Sequence, residues 1–422
     1  MKRKSFISST GLLLSSLSMN SKEFLTKAYT GYDIVEELKS QKTDDSFWEL
    51  IRANFNYPKN FIQLENGYFS PQPLSTLYAD QSLASDINTR TSLFMRREQT
   101  DAIEEARTNL ANFLMCDTSE VALTRNTTEA LNIVISGYPW KKGDEVIIGN
   151  QDYGSMVTAF RQQAKRSGII IKEAQVPLLP KTDKEVVDAY KSLITPNTKV
   201  LHLTHMINLS GQITPAEKII ETAHQRGVEV IVDAAHSVAQ VDFSAGMLNA
   251  DYVAGSLHKW LCCPIGVGFL MMKKKHIQKI WPLMADEDFA ETDIRKFEHQ
   301  GTRPINTLMS IKKAIQFHEA IGGKRKESRL HYLKSYWLSE VTKNPRVKSN
   351  TPISEKRSCA IANISVEGFS ATELASKLFS DYKIFTVAIE HPAIQGIRVT
   401  PHLFTSIDDL DKLIEAIKKI AK

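Results

Sequence analysis

The chain has 422 residues, a length that exceeds one simple core and predicts a large domain joined to a smaller one. Its hydrophobic fraction of 42%, charged fraction of 24% and formal net charge of +5 are typical of a soluble globular protein. Three of the positive charges lie in the first four residues, and no later basic block alternates with aromatic residues, so a nucleic-acid partner is not expected.

The first predicted element is a targeting segment. The stretch MKRKSFISSTGLLLSSLS joins a basic start to an apolar, serine-rich run that is too short for a stable membrane span. Its RKSFI run approximates a twin-arginine export signal with lysine in the second place, although no clear A-x-A-like cleavage site follows. We expect residues 1–30 to be a signal segment and the protein to be periplasmic or exported. The alternative is a disordered tail on a cytoplasmic enzyme.

After a polar stretch around SQKTDDS, apolar runs alternate with helical patterns. The predicted strands are EVIIGN, GIIIKEAQV, KVLHLTHM, VEVIVDAAH, DYVAG and VGFLMM. Between several of them lie helical patterns such as MVTAFRQQAKRSG and AEKIIETAHQRG, with Gly168 and Gly227 where a helix C-terminus uses glycine. Strands buried on both faces have continuous apolar runs, so the sequence predicts an α/β fold with a mostly parallel sheet flanked by helices.

From about residue 311 the pattern changes to a second, smaller α/β domain. Its predicted strands are weaker, as in CAIANISV and GIRVTPH, and capping boxes at Ser370–Glu373 and Ser406–Asp409 open two helices. We therefore predict four segments: a targeting segment at 1–30, an N-terminal segment packing on the small domain at 31–70, a large domain at 71–310 and a small domain at 311–422.

Four polar clusters fall at or near the carboxyl ends of predicted strands, where ligands bind in open parallel sheets. TRNTTEALN follows EVAL and leads into a helix, so its amides and hydroxyls would face an anion. NQDYG follows EVII, DAAH ends VEVIV, and SLHK ends DYVAG. This pattern suits a phosphate, an aromatic ring, a buried carboxylate and a lysine around one ligand. A dinucleotide is not expected, because no G-x-G-x-x-G follows a strand.

Six motifs, taken together and in order, resemble class V aminotransferases, the fold-type I pyridoxal-phosphate enzymes. The motifs are TRNTTEALN, HMINLSGQITP, DAAHSVAQVDF, SLHKWLCCPIGVGFL, HQGTRP and IRVTPHLFTSIDDLDKLIEAI. The resemblance covers the chain from about residue 60 to its end and is strongest to the isopenicillin N epimerase-like branch, with cysteine desulfurases more distant. It implies a large cofactor-binding domain, the cofactor pyridoxal 5'-phosphate and an obligate homodimer with a shared active site.

The resemblance implies two catalytic residues. Lys259 matches the lysine that holds the cofactor as an internal aldimine, which requires an accessible neutral amine. Asp233 matches the aspartate that faces the pyridine nitrogen, where a carboxylate keeps the ring protonated and able to accept electrons from the substrate. Without the resemblance, a lysine is usually a surface charge and a strand-end aspartate is often a helix cap.

The resemblance also implies contacts to cofactor and substrate. The cofactor-binding residues are Thr127, Thr128, Ser256 and His258 at the phosphate, Tyr153 on the ring face, Asn208 and His236 near the phenolic oxygen, and Thr302 reaching the phosphate across a dimer interface. Arg398 matches the arginine that binds the substrate α-carboxylate with its planar fork. Cysteine desulfurases have histidine in place of Tyr153, so the tyrosine favours the epimerase-like branch. Taken alone, Tyr153 could be a core aromatic, His236 an interior histidine and the threonines caps.

Other patterns predict no site. His202 and His205 in HLTH stand at i and i+3 of a strand, so they point to opposite faces and no metal is expected. Cys262 and Cys263 are interpreted as buried inert thiols. Persulfide-forming desulfurases carry a cysteine shortly before the carboxylate-binding arginine, and VAIEHPAIQGIR contains none, so desulfurase activity of that kind is not expected.

The sequence thus predicts an enzyme that acts on the α-carbon of an amino acid through an internal aldimine at Lys259, which then serves as base for the α-proton. Transamination, epimerisation and elimination by a carbon–sulfur lyase remain open, because all three use the same electron sink. A ligand sensor or scaffold that lost catalysis is an alternative of another class, and such a protein need not keep Lys259 and Asp233.

Overall fold

The computed structural model describes residues 34–422, so the predicted targeting segment lies outside the described residues. The chain enters through two short helices, one short strand and two long helices. These are α1 (Ile34–Ser40), α2 (Asp45–Ala53), β1 (Ile62–Gln63), α3 (Leu74–Arg97) and α4 (Gln99–Leu114). No helix within residues 34–422 is both long and apolar enough to cross a membrane.

A seven-stranded sheet forms the centre of the large domain. Its strands are β2 (Val121–Thr124), β3 (Glu145–Gly149), β4 (Ile170–Ala174), β5 (Thr198–Thr204), β6 (Glu229–Asp233), β7 (Tyr252–Ser256) and β8 (Gly268–Met272). They are ordered β2-β8-β7-β6-β5-β3-β4. Strand β8 runs in the direction opposite to the other six strands, which are parallel to one another. The mostly parallel sheet predicted from the apolar runs is therefore confirmed.

Helices cover both faces of this sheet. Those that follow its strands are α5 (Thr127–Gly137), α6 (Gly154–Ser167), α7 (Asp183–Lys191) and α8 (Ala216–His224). Alternate residues of β6 enter two separate cores: Ile231 packs with α5 and α6, whereas Val230 and Val232 pack with α8. Gly168 ends α6 in the left-handed conformation (φ 74°), as predicted. This double cover explains why the strands have no polar alternation.

The carboxyl-terminal part of the chain contains a second sheet. The helices after β8 are α9 (Lys274–Ile277), α10 (Asn306–Met309), α11 (Ile311–Ile321), α12 (Gly323–Val341), α13 (Ala371–Tyr382) and α14 (Ile407–Ile420). The strands of this part are β9 (Val347–Ser349), β10 (Ala362–Val366), β11 (Ile384–Phe385), β12 (Val387–His391) and β13 (Ile394–Val399). The antiparallel order is β12-β13-β10-β9. Both predicted capping boxes are present, at the starts of α13 and α14.

The N-terminal segment contacts both domains. β1 pairs in parallel with β11, and Leu64 lies in the small-domain core. In contrast, α1 packs on α11, and both helices share the hydrophobic core of the large sheet. The hydrophobic cores therefore group α11 with the large domain, and the chain around Leu64 ties the small domain to the edge of the sheet where the polar clusters lie.

Candidate active site

The predicted polar clusters meet in one cleft of about 550 Å³ at the carboxyl edge of the large sheet. Its lining includes all the predicted site residues except Thr302: Thr127, Thr128, Tyr153, Asn208, Asp233, His236, Ser256, His258, Lys259 and Arg398. Thr302 is exposed and lies outside the cleft of its own chain.

Lys259 lies three residues beyond the end of β7, with its side chain partly open to the cleft. Burial among protein atoms disfavours the ammonium and lowers the pKa of Lys259 to about 8, although the Asp233 carboxylate opposes that shift. Its Nζ lies 3.0 Å from Nε2 of His236. The amine is therefore neutral in about one tenth of molecules at pH 7, far more than an ordinary lysine, and is available as a nucleophile.

His236, which contacts this amine, is a neutral imidazole. Burial, with the nearby cations Lys259 and Arg398, lowers the pKa of His236 well below its usual value. The Trp260 indole N–H donates to His236 Nδ1 at 3.5 Å. Because an indole N–H can only donate, the neutral ring carries its proton on Nε2, which donates to the Lys259 amine. Trp260, which the sequence did not single out, therefore sets the tautomer.

Asp233 ends β6 and is 4% exposed. Burial, with a smaller contribution from the Asp152 carboxylate, raises the pKa of Asp233 above its ordinary value, although the His202 side chain, the Ala235 amide and Lys259 lower it. Its Oδ1 accepts the Ala235 N–H at 2.9 Å. A desolvated carboxylate on the wall of the cleft is a suitable partner for a protonated ring nitrogen.

The N-terminus of α5 and the end of β7 form a hydroxyl-lined cup. The Thr127 amide donates to Ser256 Oγ at 3.0 Å, and the two hydroxyl oxygens lie 2.8 Å apart. Asn126 caps the helix by accepting the Glu129 N–H. At Gly268 of β8 a Cβ would approach within 2.6 Å of the Asn126 Cα, so glycine permits the loop to pack there. Helix amides and hydroxyls in this arrangement suit a phosphate.

Two polar side chains in the cleft have buried atoms that no residue within 34–422 satisfies. These atoms are Oδ1 of Asn208 and Nδ1 of His258. A buried polar atom without a partner is costly, so each is available to a ligand. Burial lowers the pKa of His258 to about 4 and keeps that ring neutral. Tyr153, with a relative exposure of 44%, lies at the mouth of the cleft and is not a core aromatic.

Arg398 on β13 is already held by a carboxylate that sequence reasoning missed. Its Nη2 and Nε donate to the two Glu65 oxygens at 2.7 and 3.4 Å, and its Nη1 donates to the Asn208 carbonyl at 3.0 Å. Three of its five N–H groups are thus used, leaving one on each Nη nitrogen. A Cβ at Gly67 would lie 3.0 Å from the guanidinium carbon, so a larger residue there would press on Arg398. The sequence signal that could have identified Glu65 is the run LENG, in which a carboxylate stands just before a turn.

The two HLTH histidines point to opposite sides of the sheet, with His202 on β5 and His205 directly after its end. His202 packs against Phe160 of α6, whereas His205 packs against Phe243 on the other side. In the described part of the chain, no group of three or more His, Cys, Asp or Glu residues is placed to hold a metal ion.

A larger cleft, of about 940 Å³, lies between the start of α7 and the segment 349–357. Its cations are largely paired, with Asp183 contacting Lys218 at 2.7 Å and Arg357 at 2.8 Å. This larger cleft lacks the combination found in the smaller one, namely an amine of lowered pKa, a buried carboxylate and a free guanidinium edge. The chemistry is therefore assigned to the smaller cleft.

Comparison with known proteins gives one consistent result. The family model described as Aminotransferase class-V matches residues 70–402. Isopenicillin N epimerase of Streptomyces clavuligerus is 25% identical over 387 residues, covering 88% of this chain and 97% of that protein. A probable cysteine desulfurase of Xylella fastidiosa (strain 9a5c) is 26% identical, covering 89% and 96%.

Solved structures show the same fold. The apo cysteine desulfurase of Thermococcus onnurineus NA1 has a TM-score of 0.79 at 22% identity, with 88% of this chain and 98% of that chain covered. A C-DES variant with glycine covalently linked to its PLP cofactor has a TM-score of 0.79 at 20% identity, with coverage of 87% and 98%.

Proposed function

The chain belongs to the aminotransferase class V family of pyridoxal 5'-phosphate enzymes, and we propose that it acts on the α-carbon of a free amino acid, with Lys259 as the residue that holds the cofactor. The observation that carries this proposal is the deprotonatable Lys259 amine in a cleft shared with the Asp233 carboxylate and the Arg398 guanidinium. A scaffold protein without catalysis would have no need of this combination.

The cleft fits the cofactor at each of its polar ends. Thr127, Thr128, Ser256 and His258 would hold the phosphate in the hydroxyl-lined cup at the start of α5. Asp233 would accept the ring-nitrogen proton, and the unsatisfied amide of Asn208, together with His236, would face the ring oxygen. Tyr153, at the mouth, would cover one ring face. When bound, pyridoxal phosphate supplies an electron sink that acidifies the α-proton of an attached amino acid.

The substrate carboxylate would bind the two free N–H groups of Arg398, one on each Nη nitrogen. Glu65 and the Asn208 carbonyl fix the plane of the guanidinium, so the remaining edge is presented in one orientation. Lys259 would then take the α-proton onto Nζ, with the His236 Nε2–H holding that amine in place.

Our first choice of reaction is transamination, with epimerisation and carbon–sulfur lyase activity as alternatives. Tyr153 in place of a histidine and the similarity to isopenicillin N epimerase over 97% of that protein support the epimerase alternative. Desulfuration through a protein persulfide has less support, because none of Cys116, Cys262, Cys263 and Cys359 lines the cleft. Burial raises the pKa of the last three thiols, which leaves them protonated.

A homodimer with a shared site is part of the proposal. Thr302 lies outside the cleft of its own chain, which accords with a role at the partner's phosphate cup. Tyr68 and Ile265 line the cleft and are strongly exposed in the single chain. Large apolar side chains in such positions favour burial by a second copy.

The test is a screen of L-amino acids with purified protein and added cofactor. Solvent deuterium incorporation at the α-carbon, keto-acid release, and sulfide or pyruvate release are recorded in each reaction. Keto acid from an added amino donor and acceptor supports transamination, α-exchange with inverted product supports epimerisation, and sulfide with pyruvate supports elimination. Absence of all three signals from every amino acid, with cofactor bound, would overturn catalysis on amino acids; the K259A variant gives the background rate.

A further inference from the structure

Behind the wall of the cleft, Asp152 and His202 form a buried pair that the proposed reaction does not use. Asp152 is 5% exposed and His202 is fully buried. The Asp152 Oδ2 lies 2.7 Å from His202 Nδ1 and also accepts the Gly149 N–H at 2.8 Å. Its Oδ1 accepts the Thr204 hydroxyl at 2.7 Å. Three polar groups therefore converge on the Asp152 carboxylate.

The opposite side of His202 faces the strand that carries Asp233. In the β5–β6 pairing, Thr204 is opposite Asp233 and His202 is opposite Ile231. Paired residues of parallel strands share a face, as do residues two apart, so His202 and Asp233 are diagonal neighbours on one face of the sheet. Within residues 34–422, the buried His202 Nε2 has no hydrogen-bond partner. The ring thus lies within electrostatic reach of two carboxylates.

The charges around His202 favour its protonated form. Burial by itself lowers the pKa of His202, but Asp152 and Asp233 outweigh it and leave the pKa raised. Two further groups beside the pair carry no charge: Phe160 of α6 meets the His202 ring edge to face at 5.6 Å, and burial near Asp152 raises the pKa of Tyr190 of α7. The imidazolium in turn lowers the pKa of Asp233, whereas burial and the Asp152 carboxylate raise it, and the net shift of Asp233 is upward.

Stability alone gives little reason to keep a charged pair here. A buried ion pair can often be replaced by apolar residues at no loss of stability, since its desolvation cost is large. The other cation that acts on Asp233 is Lys259. Under the proposed function that amine is consumed by attachment to the cofactor and by proton transfer, so it cannot serve as a lasting counter-charge for Asp233. His202 takes part in neither step and can serve as that counter-charge.

We propose that His202, oriented by Asp152, is a positioning residue that supplies the lasting positive charge behind Asp233 and keeps that carboxylate ionised toward the ring nitrogen of the cofactor. The inference rests on the proposed role of Asp233. His202 touches neither substrate nor cofactor, so it acts only through Asp233.

The test compares H202Q with H205Q. Glutamine at 202 retains a donor for Asp152 but removes the charge. His205 directly follows β5, and its side chain packs on the other side of the sheet, against Phe243. We expect H202Q to bind pyridoxal phosphate at least about 10-fold more weakly and to move the pH midpoint of the bound cofactor's visible spectrum by about one unit, because one pKa unit corresponds to a tenfold change in equilibrium. H205Q should match the wild type in both. Wild-type values for a folded H202Q protein would overturn the proposal.

A second measurement does not depend on whether H202Q folds. In wild-type protein labelled with ¹⁵N-histidine, both ring nitrogens of His202 should carry protons at pH 7, above the ordinary histidine pKa of about 6.5. A neutral His202 ring at pH 7 would overturn the proposal. This result is separable from the proposed function, which fails instead if wild-type protein takes up no cofactor.

Discussion

The guanidinium of Arg398 donates two hydrogen bonds from its Nε–Nη2 edge to the Glu65 carboxylate, and the shorter one is 2.7 Å. Both residues are only 7% exposed, and they are 333 positions apart in the chain. The pair therefore joins the N-terminal segment to the small domain at the point where a substrate carboxylate would bind. It fixes the free edge of the arginine in advance, and it compensates a charge that would otherwise be buried alone.

Replacing Arg398 with lysine should impair recognition of the α-carboxylate selectively. R398K keeps the positive charge but loses the planar fork, and a hydrogen bond to a charged group is worth about 1.5–3 kcal/mol. We expect KM for the best amino acid to rise by about 10- to 100-fold. Turnover of the corresponding amine, which lacks the carboxylate, should change little. Equal losses for amino acid and amine would show that Arg398 does not bind the carboxylate.

Replacing Glu65 with glutamine should destabilise the fold as well as loosen Arg398. Removing one partner of a buried ion pair costs about 3–5 kcal/mol, because the remaining charge stays desolvated. Urea unfolding of E65Q should show this loss. E105Q, which breaks the exposed contact between Lys312 and Glu105, is the matched control and should unfold like the wild type. Equal stability of E65Q and wild type would mean that Arg398 needs no counter-charge.

Cofactor uptake by the apoprotein should follow the titration of Lys259. Burial lowers the pKa of this amine to about 8, so at pH 7 its neutral fraction is roughly 300-fold larger than that of a free lysine. The initial rate of appearance of visible absorbance, measured from pH 6 to 10, should have its midpoint near 8. A midpoint near the ordinary lysine value of about 10.5 would contradict this environment.

The same shift gives apoprotein stability a defined pH dependence. Between about pH 8 and the ordinary lysine pKa, the unfolded chain binds the Lys259 proton and the folded chain does not. Stability therefore rises with pH across this window, and the folded state is penalised below it. K259M should remove that rise, and an unchanged slope in K259M would assign it to another group.

A shared active site predicts complementation between two defective chains. In a mixed dimer of K259A with T302A, one site combines the intact Lys259 of one chain with the intact Thr302 of the other. We expect each variant alone to be impaired at limiting cofactor. Refolding of an equimolar mixture should restore about a quarter of the wild-type activity, because half of the randomly paired dimers are mixed and each mixed dimer has one complete site of two. No gain over the separate variants would place Thr302 outside the partner's site.

Much of the fold follows from local pattern. Valine- and isoleucine-rich runs predicted β3, β5, β6 and β7, and polar clusters after those strands predicted the cleft, because side chains at the carboxyl ends of parallel strands converge. The antiparallel direction of β8 was not predictable, since a buried strand has the same apolar run in either direction. The packing of α1 on α11 depends on contacts far apart in sequence.

The residues missed at the site are those whose meaning depends on a distant partner. Glu65 and Arg398 are each interpretable alone, yet nothing local shows that they meet. His202 was assessed only as a metal ligand in HLTH, whereas its partner Asp152 lies 50 residues earlier, beside Tyr153. A histidine inside an apolar strand run is a signal that it needs a buried hydrogen-bond partner, although the sequence does not say which residue supplies it.

The most direct test of the account is the covalent attachment itself. Protein incubated with pyridoxal 5'-phosphate is reduced with borohydride, digested and analysed by mass spectrometry. The account predicts a reduced phosphopyridoxyl group on the peptide that contains Lys259, and none on the corresponding peptide of K259A. Attachment to a different lysine, or no attachment to wild-type protein, would contradict it.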